Sequence, residues 1–145
     1  MSDSANRGKV AESKLRTQFA ALESGLVDFT FERILDAHSA RGAMSAARAG
    51  DFVVYYRGKN FLIEVKEVAH DFRLPKSNFK RDQRARMKKR QLAGSICRVV
   101  TYHSTTGQWR IMPLDYFGTE ETGSWDLQEF SSINTKQLIG VILCL

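Results

Sequence analysis

The chain has 145 residues, 43% of them hydrophobic, with 2 prolines and a net charge of +6. That length and apolar content predict one domain spanning residues 1–145 with a core of its own. The 2 cysteines, Cys97 and Cys144, lie far apart with no CxxC neighbour, which excludes a disulfide framework and a zinc site. The start, MSDSANRGK, has no apolar stretch of a secretory kind, and no apolar run approaches the ~18 residues of a membrane span. The expectation is a soluble, cytoplasmic protein whose basic excess calls for an anionic partner, nucleic acid above all.

Residues 7–23 are predicted as a first helix, because Leu15, Phe19 and Leu22 recur at helical spacing. One turn earlier the same stripe reaches Ala11 and Glu12, so Glu12 points toward the protein. It either complements the helix dipole or belongs to a site, and the helix by itself does not choose. Residues 26–34, LVDFTFERI, alternate apolar and polar and predict a strand. Residues 35–50 are rich in Ala, Ser, Gly and Arg and have little to bury: a loop, a frayed helix or a protruding arm. GDFVVYYRGKNFLIEVKEV, residues 50–68, predicts a hairpin turning at Arg57-Gly58.

A second helix is predicted over 77–94, with Ser77 as N-cap and Gly94 as its stop. SICRVVTY at 95–102 and QWRIMPL at 108–114 predict a pair of strands. The strand–helix–strand run from 61 to 102 predicts a parallel pairing. The closing INTKQLIGVILCL reads as either a helix or a strand. The fold class expected is α/β, a central mixed sheet flanked by helices.

The second strand of the hairpin interrupts its apolar run with Glu64 and Lys66, which share a face with Leu62. Centring the turn on Arg57-Gly58 puts Asp51 opposite Glu64. Cross-strand Cβ atoms sit roughly 4.5–5.5 Å apart, so two carboxylates there repel unless something neutralises them. Lys66 supplies part of that charge, and a divalent cation with hard oxygen ligands, Mg²⁺ or alternatively Mn²⁺, supplies more. A Glu-x-Lys triplet alone is common and is most simply a surface ion pair worth ~0–1 kcal/mol. The combination with a facing Asp, an inward Glu and a following basic helix is what carries weight. Between Arg73 and Arg90 stand 9 basic residues against a single acid, Asp82, an imbalance suited to tracking a phosphate backbone. Phe79, Gln83 and Met87 form the predicted buried stripe of this helix, where the Gln83 amide is slightly better read as core than as site.

Asp, a spacer, then Glu-x-Lys on the next strand is similar to the pattern of the PD-(D/E)xK nucleases. NRGKVAE at 6–12, the hairpin at 50–68 and FRLPKSNFKRDQRARM at 72–87 together resemble the RecU-type Holliday junction resolvases. That resemblance runs from about Asn6 to about Tyr102. It implies a restriction-endonuclease-like fold and an Mg²⁺-dependent, homodimeric endonuclease that cuts four-way DNA junctions by paired symmetric nicks. It implies Asp51 and Glu64 as metal ligands with Glu12 and the Val65 carbonyl beside them, Lys66 as the catalytic lysine, and Gln83 near the site. Candidate DNA contacts are Arg41 and Arg48 on an arm over 35–48, and Arg73, Lys76, Lys80, Arg81 and Arg84 around the second helix. In place of the family's hydroxyl residue before the metal-binding Asp, this chain has Ala49 and Gly50. Its compact size suits a phage genome. Two other readings share the same residues: a restriction-like or repair endonuclease on this fold, and a nucleic-acid-binding protein without catalysis.

Overall fold

The computed structural model describes residues 2–34, 50–120 and 122–144, with side chains from Lys9 onward. The expected arm over 35–48, with Arg41 and Arg48, lies outside the described residues. In chain order come helix α1 (Ser2–Gly25) and strands β1 (Phe29–Arg33), β2 (Phe52–Tyr56), β3 (Lys59–Val68) and β4 (Arg73–Pro75). Helix α2 (Arg81–Leu92) and strands β5 (Ile96–His103), β6 (Gln108–Pro113) and β7 (Ser124–Asp126) follow, and helix α3 (Thr135–Cys144) closes the chain. Among the described residues no helix is long and apolar enough to cross a membrane.

The main sheet has five strands in the order β1-β2-β3-β5-β6. β3 and β5 are its parallel pair, with Glu64 beside Val99, and the other neighbours run antiparallel. Alternation along β3 divides the core. Phe61, Ile63 and Val65 pack with Ala11, Leu15 and Phe19 of α1 and Leu138 and Ile142 of α3. Leu62 packs on the other side with Met87 of α2, Phe79, Phe117 and Trp125. The sheet is thus a wall between two layers, and Glu64 and Lys66 belong to the α2 side.

The structure extends the first helix beyond 7–23 in both directions and narrows the first strand from 26–34 to Phe29–Arg33. The second helix begins later than 77. Residues Lys76–Asn78 form a 3-10 turn, Ser77 caps nothing, and Phe79 is extended at φ −123°. The cause is burial: the Phe79 ring stands edge-on to Phe117 at 5.2 Å and to Trp125 at 6.3 Å, which a helical backbone from 77 would not provide. Gly94, at φ 118°, ends the helix as predicted. The closing segment is a helix, with Leu138 and Ile142 one turn apart and buried. The two-stranded sheet of β4 and β7 had no counterpart in the sequence reading.

Candidate active site

The hairpin turns where predicted. Arg57 at φ 51° and Gly58 at φ 77° are both left-handed, the two-residue loop whose twist matches its strands. Arg57 is held there by its N–H to the Asp28 carbonyl at 3.2 Å and its guanidinium to the Asp28 carboxylate at 3.3 Å. This turn sets the register, which runs to Phe52 opposite Ile63.

At Asp51 the ladder departs from the expectation of a direct Asp51–Glu64 pairing. The Asp51 N–H donates to the Ile63 carbonyl at 2.8 Å, although Ile63 already faces Phe52. Two residues therefore oppose one, the arrangement of a β-bulge, which re-aims a side chain. The Asp51 carboxylate is buried at 1% exposure, and its Oδ2 accepts the Val65 N–H at 2.7 Å. Gly50 permits the close approach: a Cβ there would lie 3.1 Å from the Ile63 carbonyl oxygen and 3.2 Å from Leu62 Cδ1.

Glu64, next to Val65, is also 1% exposed. Its Oε2 lies 2.9 Å from Lys66 Nζ, while its Oε1 is buried with no hydrogen-bond partner among the described residues. Lys66 Nζ also donates to the Asn78 carbonyl at 2.6 Å and sits 5.2 Å from the centre of the Phe79 ring. A carboxylate, a carbonyl and a π-face thus position one ammonium. Such a grip is what the 3-10 turn before α2 provides, and sequence reasoning missed it because Asn78 acts through its backbone.

This donor set fits a hard divalent cation. In a strand the N–H and C=O of one residue point the same way, so the Val65 carbonyl faces the same edge as the N–H that Asp51 holds. The Asp51 and Glu64 carboxylates, each 1% exposed, and that carbonyl are the oxygen donors that would hold it. The buried, unsatisfied Glu64 Oε1 is costly without a cation.

Glu12 does not complete a cage. Among the described residues no group of three His, Cys, Asp or Glu side chains gathers as a metal site. The Glu12 carboxylate pairs instead with Arg33 at 3.1 Å, at the end of the strand whose next residue, Ile34, donates to the Asp51 carbonyl at 2.8 Å. Glu67, unremarked in the sequence, accepts the Ala11 N–H at 3.1 Å and so ties α1 to β3. Gln83 is buried between Phe79 and Met87, as the stripe predicted.

The basic candidates separate. Lys80 and Arg81 are exposed, and neither has a salt-bridge partner among the described residues. Arg73 is exposed and touches the Ser124 hydroxyl at 3.4 Å. Lys76 is engaged with Glu120 at 2.7 Å and sits 5.5 Å from the Trp125 ring centre. Arg84, expected to contact DNA, is 5% exposed and donates to the carbonyls of Phe79, Phe117, Gly118 and Glu120 at 2.5–3.0 Å. That assignment is corrected: Arg84 is an internal clamp, drawn inward because the 117–120 segment leaves carbonyls that need donors.

No protein-family model matches the chain, and no curated protein matches it. Among solved structures it is similar to Hjc, a Holliday junction resolvase from the archaeal hyperthermophile Archaeoglobus fulgidus. The TM-score is 0.59 at 18% identity, over 88% of this chain and 98% of that one. The likeness is one of fold: a mixed five-stranded sheet flanked by helices, of the restriction-endonuclease-like kind.

Proposed function

We propose that the chain is a single-domain, divalent-metal-dependent endodeoxyribonuclease that resolves four-way DNA junctions. The observation that carries this reading is a pair of buried carboxylates on the hairpin, Asp51 on the Val65 N–H and Glu64 against Lys66. The fold shared with a resolvase and the exposed cations of α2 support it. The sequence resemblance narrows the type to RecU, acting in a bacterial or phage-infected cytoplasm.

When bound, Mg²⁺ or Mn²⁺ supplies a water of lowered pKa and positive charge against the phosphate. Asp51, Glu64 and the Val65 carbonyl would hold it. Lys66 keeps its ammonium where charge develops on the phosphate oxygens or where the attacking water must be oriented. Arg73, Lys80 and Arg81 neutralise backbone phosphates beyond the cleft and read shape rather than bases. Acting as a homodimer, two such sites about a two-fold axis cut opposing strands symmetrically.

Purified protein incubated with an end-labelled four-way junction, with Mg²⁺ or with EDTA, tests the reading. Paired nicks near the branch point that require metal support it. Equal cutting of linear duplex favours a restriction-like or repair enzyme, and binding without cutting favours a non-catalytic DNA-binding protein.

A further inference from the structure

Beside α2, on the face turned away from the sheet, runs a groove of about 600 Å³ closed on its far side by the segment from Leu114 to Thr119. Its floor is aliphatic, formed by Leu114 and by Leu92, which is 78% exposed at the end of the helix. Its rim is basic, with Arg81, Lys88 and Lys89 against one acid, Asp115. Lys88 pairs with Asp115 at 2.8 Å and offsets it, so Arg81, Arg84 and Lys89 leave the groove with a net positive charge, Arg84 being turned inward onto carbonyls and Lys89 exposed.

These two properties select the occupant. Phosphates satisfy the rim, yet they leave the apolar floor wet. An unstacked base needs an aromatic platform or an amide to read its edge, and among the described residues no aromatic or amide side chain lines the groove. A peptide with carboxylates and an apolar side chain satisfies both surfaces at once, since apolar burial and charge complementarity then act together. The geometry points to a docking site for a short acidic, apolar segment of a partner protein, its apolar side chain on Leu92 and Leu114 and a carboxylate on Lys89.

Fluorescence anisotropy of the full chain tests this with a fluorescein-labelled tetra-aspartyl peptide ending in two leucines. A second peptide carries serines in place of the leucines, and a short labelled duplex DNA is the third probe. The leucine peptide is expected to bind saturably and the serine peptide at least about tenfold more weakly. Leu92→Ser, at an exposed position that leaves the melting temperature unchanged, is expected to weaken the leucine peptide by a similar factor, and Lys89→Glu to weaken it further. Junction cleavage by Leu92→Ser is expected to equal that of the wild type, which separates the groove from the cleft. Equal binding of both peptides, indifference to Leu92→Ser, or binding of the duplex alone overturns the proposal.

Discussion

Asp51 extends the backbone ladder just before β2 begins: its Oδ2 accepts the Val65 N–H at 2.7 Å. One carboxylate oxygen is thereby committed to positioning, in the residue proposed above as a cation ligand. Asp51→Asn preserves an oxygen for the Val65 N–H but puts an amide where a cation needs negative charge. Junction cleavage is expected to fall by about a hundredfold or more, with junction binding retained in a mobility-shift assay. Asp51→Ala removes the acceptor as well and is expected to destabilise the fold by about 1–3 kcal/mol.

Glu64 presents the complementary test. If Glu64 is a metal ligand, its buried Oε1 gains a partner on binding, and Mg²⁺ is expected to stabilise the folded state. At a hundredfold excess over the dissociation constant the gain is about 2.7 kcal/mol, visible as a raised melting temperature in scanning calorimetry. The shift is expected to vanish in Glu64→Gln. An undiminished shift in that variant moves the metal elsewhere.

Gly50 sits where a Cβ would lie 3.1 Å from the Ile63 carbonyl oxygen, tighter than an ordinary contact. Gly50→Ala must push the start of β2 away from β3, at a cost of about 1–3 kcal/mol. Cleavage is expected to drop more than the lost stability explains, as measured on folded protein well below its melting temperature. Unchanged cleavage and stability show that the bulge has slack.

Arg84 and Arg81 lie three positions apart on α2 and should behave in opposite ways. Arg84→Ala leaves buried carbonyls of the 117–120 segment without donors and is expected to destabilise by about 3 kcal/mol in urea titration. Arg81→Ala is expected to leave stability within about 0.5 kcal/mol and to lower the salt slope of junction binding by about one. The reverse pattern reassigns Arg84 to DNA.

His103 makes stability depend on pH. Burial first, and then the nearby Arg110 guanidinium, hold its pKa below the usual 6.5. Its ring is stacked on Phe72 at 4.1 Å and keeps one nitrogen on the Thr106 hydroxyl at 2.8 Å. Because the unfolded chain takes up the proton first, this contribution is complete above about pH 6.5 and is lost as pH falls below it. Urea midpoints are expected to decline from pH 7.5 to pH 5.5, and less steeply in His103→Gln. Parallel declines in both proteins remove His103 as the cause.

The strands of the main sheet, the turn at Arg57-Gly58, the parallel β3–β5 pairing and the Glu-x-Lys face were legible because each rests on periodicity or on a local backbone need. The start of α2 was misread because Pro75 and Ser77 suit a helix start locally, while burial of Phe79 among Phe117 and Trp125 outweighs that preference. Arg84 was misread for a similar reason. Helical spacing places it beside the exposed cations, and only the distant 117–120 segment, whose carbonyls seek donors, turns it inward.

By itself the sequence determined the α/β class, the hairpin register as far as Phe52 and Ile63, and which residues carry charge into an otherwise apolar strand. The tertiary structure decided how those charges are used: the bulge that sends Asp51 to Val65, the Asn78 carbonyl that holds Lys66, and the Arg33 that takes Glu12. Alternation and turn geometry act over a few residues and are written in the local pattern. A buried carboxylate or cation settles on whichever donor or acceptor the packed chain brings to it from far along the sequence.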